Sequence, residues 1–322
     1  MSKVHDVRAG GMRIRVREVG TGDPLLLVNG IGCHLGMWGA VERALKGRRL
    51  IAFDAPGVGG SQTPIVPPTL DGLGRLALEV LDAVEVERAD VLGYSFGGMV
   101  AQRVARHAPH RVRRLVLVAT TPGWGGVPGS PWALAEMATP LRYYWRGRYE
   151  LIAGRLMGGT ARTDKSFVTA HARQRNADPP GPYGYAGQIW AVATDPGSLS
   201  WLPSITCPAL VVTGDDDPIM PLSNAMLLAR RLGDARMHVA AGEGHLLLYD
   251  EHNGPMKAIR SFLSAKDAHR SAAWRNATVV TGEMLRTQVL ADNQRARLPQ
   301  AAFNAVLRRA SRPLRSRVAR AA

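Results

Sequence analysis

A pentapeptide of the form Gly-x-Ser-x-Gly, Gly93 to Gly97, constrains the fold of this chain more than any other feature. An apolar run precedes it, and a helical pattern that ends near Pro109 follows it. This order predicts a strand that turns sharply into a helix, with Ser95 at the apex of the turn. Glycine two positions before and after the serine permits such a strained turn. We interpret Ser95 as a nucleophile, and the alternative is a Gly-rich turn whose serine only caps the helix.

Short apolar segments alternate with helical patterns on both sides of this turn. The predicted strands are 12–19, 25–28, 50–53, 89–92, 115–118, 209–212 and 236–240. The predicted helices include 70–84, 223–232 and 255–263. Strands that alternate with helices imply a doubly wound, mostly parallel sheet, so the fold class is α/β. The alternating pattern of 12–19 places that strand at an edge of the sheet.

The alternation stops between residues 122 and 201. This segment holds five of the seven tryptophans and five of the seven tyrosines, in helical fragments separated by Gly/Pro loops. We expect it to form a helical cap inserted into a core made of residues 1–121 and 202–265. The alternative use of its aromatic residues is the packing of a second small core.

Positive charge is concentrated in the last part of the chain, which we expect to form a basic tail. The net charge is +15, and residues 266–322 hold 12 Lys or Arg but only 3 Asp or Glu. Apolar positions such as Phe303 and Leu314 recur with helical spacing, which indicates an amphipathic segment that seeks an anionic surface. A solvated basic extension is the alternative. The tail contains no recognisable nucleic-acid-binding motif, so no specific nucleic-acid partner is expected.

The cysteines and the apolar runs argue against several other classes of protein. Cys33 and Cys207 are far apart and lack metal-ligand spacing, which argues against a disulfide scaffold or a zinc site and agrees with a reducing compartment. No apolar run approaches the roughly 18–20 residues that span a bilayer, and residues 1–11 contain no signal-peptide h-region. We therefore expect a cytoplasmic protein with no metal and no cofactor.

A serine hydroxyl attacks at neutral pH when a base takes its proton and a third group orients that base. His245 follows a strand in a glycine-flanked loop, and we predict it as the base. The acid should end the preceding strand, where Asp215, Asp216 and Asp217 are adjacent. We choose Asp217, three residues past the strand-ending glycine. Its two neighbours are expected to form turn hydrogen bonds or to face solvent.

The oxyanion that forms on an attacked carbonyl needs N–H donors already in place. We expect the backbone N–H groups of Phe96, at the helix start, and of Ile31, in the loop after strand 25–28, to be those donors. Gly30 and Gly32 let this loop approach the substrate closely. Cys33 is a competing nucleophile, but no base is placed for it.

With these residues in place, the chain from 12 to 265 resembles the α/β-hydrolase superfamily. Within it, the chain is most similar to the intracellular medium-chain poly(3-hydroxyalkanoate) depolymerases. The motifs that carry the likeness are Asn29 to Gly32, Ile51 to Ser61 and Gly214 to Pro218. Two departures are the basic tail and Phe96, since tryptophan often follows the serine in those depolymerases.

This resemblance implies an intracellular serine esterase that cleaves a storage polyester through an acyl-enzyme. Ser95 would attack the ester carbonyl, His245 would transfer the proton, and water would release a 3-hydroxy acid or oligomer. The aromatic cap, with Trp190 as its expected substrate contact, would hold an apolar acyl chain, and the tail would hold the enzyme on a granule with an anionic coat. The alternatives are a small-molecule carboxylesterase, lactonase or perhydrolase with the same triad, and a non-catalytic granule-binding protein.

Overall fold

Eight strands form one mostly parallel sheet in a computed structural model that describes residues 2–145 and 147–296. The strands are β1 (Ser2–Ala9), β2 (Met12–Val19), β3 (Pro24–Val28), β4 (Arg49–Phe53), β5 (Ala89–Tyr94), β6 (Val112–Val118), β7 (Ala209–Gly214) and β8 (Ala235–Ala240). Their order is β1-β2-β4-β3-β5-β6-β7-β8, with antiparallel pairing of β1 to β2 and of β2 to β4. The predicted α/β fold class is confirmed.

The prediction that 12–19 is an edge strand is wrong, because β1 pairs with β2 and takes the edge position itself. The two strands join through Gly10 and Gly11, whose φ angles are 58° and 71°. Positive φ at two consecutive residues is the geometry of a tight hairpin turn, and glycine adopts it without steric cost. Most side chains of β1 are exposed, so its sequence shows little of the hydrophobic pattern that predicts a strand.

Helices cover both faces of the sheet. They are α1 (Gly39–Ala44), α2 (Leu70–Ala83), α3 (Phe96–His107), α4 (Pro131–Met137), α5 (Leu141–Tyr144), α6 (Arg148–Met157), α7 (Lys165–Arg175), α8 (Pro182–Ala193), α9 (Leu222–Arg231), α10 (Gly254–Ser264), α11 (Ala272–Asn276) and α12 (Gly282–Ala296). Side chains of a strand alternate between the faces. Leu26 and Val28 accordingly pack with α2 and α3, while Leu25 and Leu27 pack with α1 and α10.

The packed core extends past the predicted boundary at residue 265. Trp274 of α11 stacks on Phe262 of α10, with ring centroids 5.9 Å apart. Val289 of α12 is completely buried against the layer that contains α9. The boundary was set on the positive charge of residues 266–322, and net charge does not show that α11 and α12 pack on the core. The predicted amphipathic positions Phe303 and Leu314 lie outside the described residues.

Helices α4 to α8 belong to the segment 122–201, which is inserted between β6 and β7 and is called the insertion below. The insertion has its own apolar cluster, which includes Tyr149, Leu156 and Val168 and also takes in Leu246 from the loop after β8. It contacts the loops that follow β3, β4 and β8, all at the carboxyl ends of the strands. Open α/β sheets bind ligands at this edge. Within the described ranges, no helix is long and apolar enough to cross a bilayer.

Candidate active site

The turn between β5 and α3 is strained at Ser95. This residue has φ 53° and ψ −119°, a conformation of the kind that costs on the order of 1–3 kcal/mol. A Cβ atom on Gly93 would overlap with the carbonyl oxygen of Gly97, and one on Gly97 would overlap with that of Val28. Both glycines of the pentapeptide are therefore needed for the close approach of α3 to the sheet, as the sequence pattern predicts.

Hydrogen bonds hold the backbone of Ser95 in this conformation. Its N–H donates to the carbonyl oxygen of Val118 at 2.9 Å. Its own carbonyl oxygen accepts the hydroxyl of Thr120 at 2.6 Å and the N–H of Gly98 at 2.9 Å. Neighbouring elements therefore over-determine the strained turn and fix the position of the serine side chain.

The three side chains predicted as a triad form one hydrogen-bonded chain. His245 Nε2 lies 3.0 Å from Ser95 Oγ, and His245 Nδ1 lies 2.7 Å from Asp217 Oδ2. The other carboxylate oxygen of Asp217 accepts the N–H groups of Ile219 and Met220 at 2.8 and 2.9 Å. With Nδ1–H donating to this carboxylate, Nε2 is left as the acceptor for the serine proton.

The two aspartates next to Asp217 form hydrogen bonds and ion pairs with other parts of the chain. Asp215 Oδ1 accepts the N–H of Gly242 at 2.7 Å. Asp216 accepts the N–H of Gly159 at 2.7 Å and forms an ion pair with Arg162 at 2.6 Å. Asp215 is exposed, as the sequence allows, but its hydrogen bond joins the distant loop of the histidine and is not the predicted turn hydrogen bond. Asp216 attaches the insertion to the end of β7, which the sequence did not predict.

The backbone of His245 is held from two sides, and the sequence predicted neither contact. Its N–H donates to the carbonyl oxygen of Met157, at the end of α6, at 2.6 Å. Its carbonyl oxygen accepts the hydroxyl of Tyr94 at 3.0 Å, and the tyrosine and imidazole ring centroids are 5.3 Å apart. Tyr94 directly precedes Ser95 in the pentapeptide, so its position in the sequence could have indicated a place beside the site. A backbone carbonyl such as that of Met157 has no sequence signature.

The N–H groups of Ile31 and Phe96 have no hydrogen-bond acceptor in the part of the chain that the structure describes. Phe96 begins α3, and the first N–H groups of a helix have no partner within the helix. Gly30 lies against the serine, since an added Cβ would be 3.6 Å from Ser95 Cβ. Gly32 differs, because its N–H donates to Gln188 Oε1 of α8 at 2.7 Å. The loop after β3 therefore leaves Ile31 N–H available near Ser95.

The structure gives Trp190, the predicted substrate contact, no contact with the residues around Ser95 in the described part of the chain. Its side chain is 56% exposed on α8. Tyr185 and Gln188 of the same helix are buried and contact the loop after β3. Residues three apart share a helix face, whereas residue 190 falls on another face. The aromatic composition of the segment could not reveal this helical phase.

Cys33 is an unsuitable nucleophile. Burial raises the pKa of its thiol, and Sγ lies 3.7 Å from the carbonyl oxygen of Ile31. The thiolate is the reactive form of cysteine, so a buried protonated thiol attacks poorly. Within the described residues no group of three or more potential metal ligands occurs.

A chain of ring contacts connects the proposed triad to the insertion. The ring of Tyr249 contacts those of Tyr94 and His171, with centroids 6.0 and 4.3 Å away. His171 Nδ1 lies 2.7 Å from the hydroxyl oxygen of Tyr149. Burial, assisted by the charge of Arg175, lowers the pKa of His171 well below its ordinary value, so this imidazole is neutral. Burial also raises the pKa of Tyr94 and of Tyr249.

The order of the hydrogen-bonded residues along the chain, serine before aspartate before histidine, is that of α/β hydrolases. Chymotrypsin-like and subtilisin-like enzymes place the same three residue types in other orders. A family model for the alpha/beta hydrolase fold matches residues 23–252. The chain therefore belongs to the α/β-hydrolase family, which confirms the resemblance at the level of the superfamily.

Individual relatives extend this comparison. A poly(3-hydroxyalkanoate) depolymerase of Ectopseudomonas oleovorans is 39% identical over 241 residues, which cover 74% of this chain and 84% of the relative. A 2-hydroxy-6-oxo-2,4-heptadienoate hydrolase of Pseudomonas putida is 30% identical over 276 residues, 81% of this chain and 96% of the relative. The solved structure of a hydrolase from Pseudomonas aeruginosa PA01 matches with a TM-score of 0.68 at 31% identity, over 82% of this chain and 99% of that chain. The first of these relatives confirms the predicted similarity to the depolymerases.

Proposed function

We propose that the protein is a serine esterase that cleaves carboxylic ester bonds through an acyl-enzyme on Ser95. The observation that carries this proposal is the continuous hydrogen-bonded chain from Ser95 Oγ through His245 to Asp217. Ser95 attacks the ester carbonyl, and His245 accepts its proton at Nε2 and donates it to the leaving alcohol. Asp217 holds Nδ1–H and stabilises the imidazolium. The N–H groups of Ile31 and Phe96 stabilise the oxyanion.

The second half of the reaction uses the same groups. Water attacks the acyl-enzyme, His245 takes a proton from that water, and the ester between the acyl group and Ser95 breaks. The proton returns to the serine oxygen, and the acid is released. The insertion acts as a cap over the carboxyl edge of the sheet and keeps bulk water from the intermediate.

As substrate we favour the ester bonds of a medium-chain poly(3-hydroxyalkanoate). The 39% identity to a depolymerase over most of both chains supports this choice. The motif Asn29 to Gly32 beside the serine, on which the resemblance rests, is consistent with it. This substrate implies a cytoplasmic enzyme that works at the surface of storage granules.

A small ester or lactone is the second candidate, because the site is closed. Ser95 and His245 are only 4% and 3% exposed. A polymer chain reaches such a serine only after a large displacement of the insertion, whereas a small ester needs a narrower opening. The relative from Pseudomonas putida carries the name of a small-molecule hydrolase, in agreement with this candidate.

The proposed granule contact involves residues 297–322, which contain seven arginines and no acidic residue. Because α11 and α12 pack on the core, a deletion that tests this contact begins at residue 297 and spares both helices. We expect the truncated protein to hydrolyse soluble esters at the rate of the full chain and to bind anionic granules more weakly. Equal binding by the two proteins would refute the contact.

The experiment that tests the proposed function is an acyl-length profile that includes the polymer. Purified protein is given 4-nitrophenyl esters from acetate to dodecanoate and, separately, amorphous medium-chain polyester granules, with Ser95→Ala as the control. Erosion of granules by the wild type alone supports the depolymerase. Turnover of soluble esters without erosion supports the second candidate. Equal ester turnover by the variant would contradict both.

A further inference from the structure

Two arginine side chains in the insertion are buried without a carboxylate. Arg142 of α5 is 2% exposed, and Arg175 at the end of α7 is 3% exposed. Neither forms an ion pair among the residues that the structure describes. The nearby carboxylate of Glu136 pairs with Arg148 at 2.6 Å instead. Two positive charges therefore lie inside the insertion with no acidic partner in the described ranges.

Backbone carbonyl oxygens accept hydrogen bonds from only some of the N–H donors of the two guanidinium groups. Nη1 of Arg142 donates to the carbonyl oxygens of Glu136 and Thr139 at 3.2 and 2.8 Å. Nη1 of Arg175 donates to the carbonyl oxygen of Arg142 at 3.1 Å. The buried Nε of Arg142 has no acceptor within the described part of the chain. Arg142 also forms a side-chain hydrogen bond with Tyr185. Since each guanidinium carries five N–H donors, both still retain donors for a further partner.

Aromatic rings pack against both guanidinium groups. Cζ of Arg175 lies 3.8 Å from the ring centroid of Tyr143 and 4.1 Å from that of Tyr149. Cζ of Arg142 lies 4.9 Å from the ring centroid of Tyr143. Cζ of Arg142 also lies 5.2 Å from the ring centroid of Tyr185, and although burial opposes it, Tyr185 and Tyr143 together raise the pKa of Arg142. Such cation–π contacts orient a guanidinium and stabilise its charge, and an anionic ligand would add the ion pair that neither arginine has.

The arginine pair is linked to the loop that carries the proposed oxyanion donor. The hydroxyl of Tyr143, whose ring contacts both guanidinium groups, donates to the carbonyl oxygen of Ile31 at 3.1 Å. A Cβ on Gly32 of the same loop would lie 2.8 Å from the hydroxyl oxygen of Tyr143, so the ring that both arginines contact packs against this loop. A substrate held at Ser95 and Ile31 would extend along this loop toward the pair.

We propose that Arg142 and Arg175 bind a carboxylate of the substrate. The enzyme then acts preferentially on esters that end in a free acid, such as the carboxyl end of a 3-hydroxyacyl oligomer. A guanidinium donates two parallel N–H bonds to a carboxylate, and such bonds to ionised groups are stronger than those to neutral oxygens. This proposal rests on the ester hydrolysis proposed above and identifies short acidic oligomers as its preferred substrates.

The test compares a 3-hydroxyoctanoyl dimer as the free acid with its methyl ester. Loss of a hydrogen bond to a charged group changes affinity by about tenfold or more. We therefore expect the wild type to have a KM for the acid about tenfold below that for the methyl ester. Arg175→Met should raise the KM for the acid by about that factor more than it raises the KM for the methyl ester. Equal KM values for the two substrates in the wild type would overturn the proposal.

A matched control removes a charge from the same part of the chain. Arg155 of α6 is exposed and stacks on Trp132, with Cζ 4.2 Å from the ring centroid. Arg155→Met should leave both KM values as in the wild type. If Arg155→Met raises the KM for the acid as much as Arg175→Met does, the preference reflects overall charge, and the arginine pair is refuted.

A binding measurement keeps the proposal testable if Arg175→Met does not fold. Ser95→Ala, with both arginines intact, is heated with 3-hydroxyoctanoate or with its methyl ester. The acid should raise the midpoint of unfolding and the methyl ester should not, and equal shifts would refute the arginine site. Hydrolysis of the methyl-ester dimer by the wild type separately tests the proposed function. A protein that hydrolyses neither dimer but is stabilised by the acid would retain the anion site without the esterase.

Discussion

The sheet and the insertion bury their side chains in different ways, although both contribute to one site. The interior of the sheet is aliphatic, as in β3, where four consecutive leucine and valine residues alternate between the two layers. The interior of the insertion contains Arg142, Arg175, Tyr149 and His171, which pack through ring contacts and hydrogen bonds. The sheet is thus specified by a local pattern, and the insertion by contacts between residues far apart in sequence.

This difference matters because both regions position the three residues of the proposed triad, although all three lie in the loops or turns that follow strands of the sheet. The sheet positions Ser95 at the end of β5 and Asp217 after β7. The insertion holds the N–H of His245 through the carbonyl oxygen of Met157. The alignment of the imidazole therefore depends on where the insertion lies, and variants on either side of the boundary should separate the two contributions.

The largest effect is expected from the sheet side of the triad. Ser95→Ala removes the proposed nucleophile, and kcat should fall on the order of a million-fold, as for serine hydrolases that lose this residue. The fold should remain, since the hydrogen bonds that hold this turn involve the backbone of the residue. Initial rates with a 4-nitrophenyl ester and a circular dichroism spectrum measure both properties. A folded variant that retains roughly a hundredth of the rate would be incompatible with this role.

The contact between the insertion and the histidine loop should have the next largest effect. Gly159 has φ 50°, and a Cβ on it would overlap with the backbone N of Gly244. Gly159→Ala should push the insertion away from the loop and lower kcat by about a hundredfold, because displacements near 1 Å have such effects on catalysis.

Gly147 supplies the control for that variant. It also has positive φ, at 74°, but a Cβ there would meet no atom within 4 Å. Gly147→Ala therefore carries the backbone strain without the overlap and should retain the wild-type kcat. If the two alanine variants lose equal activity, the insertion does not align the histidine.

A smaller loss is expected at Tyr94. Tyr94→Phe leaves the carbonyl of His245 without its buried hydrogen bond, which costs about 1–3 kcal/mol. If this loosens the imidazole in the transition state, kcat falls about tenfold while KM changes little. Tyr183→Phe, at a residue that is 85% exposed in the insertion, is the control. An unchanged kcat and pH–rate profile in Tyr94→Phe would remove this residue from the positioning of the histidine.

The smallest effect concerns stability inside the insertion. Burial lowers the pKa of His171, so below its ordinary value near pH 6.5 the unfolded chain binds a proton that the folded chain does not. The free energy of unfolding should therefore fall as pH drops through about 6.5, by at most about 1.4 kcal/mol per pH unit from this group. Urea unfolding at several pH values should show a shallower dependence in His171→Gln and no change for the exposed His252→Gln. Identical slopes in all three proteins would contradict the neutral buried imidazole.

The sequence predicted the parts of the molecule that short-range patterns specify. Strands 25–28 and 209–212 are continuous apolar runs, and the spacing of Gly93 and Gly97 around Ser95 reports a close approach of helix and sheet. Asp217 could be chosen by its position after a strand-ending glycine. These signals are local. The residues that they identify lie at one edge of the sheet because the carboxyl ends of parallel strands lie together.

The parts that escaped prediction depend on three-dimensional packing. Whether Trp190 faces the site depends on the helical phase of α8, which composition does not give. Arg142 and Arg175 look like surface residues in the sequence, and their burial follows from tyrosines brought together by the folding of the insertion. The hydrogen bond between the N–H of His245 and the carbonyl oxygen of Met157 involves only backbone atoms. No pattern of residue types reports such a contact.

The most direct test of the central claim is to trap the acyl group on the enzyme. A slowly hydrolysed 4-nitrophenyl ester is mixed with the wild type, the reaction is quenched in acid, and the digested protein is analysed by mass spectrometry. We predict an added acyl mass on the peptide that contains Ser95, and no adduct in Ser95→Ala. An adduct on Cys33 instead, or full ester turnover by Ser95→Ala, would contradict an acyl-enzyme on this serine.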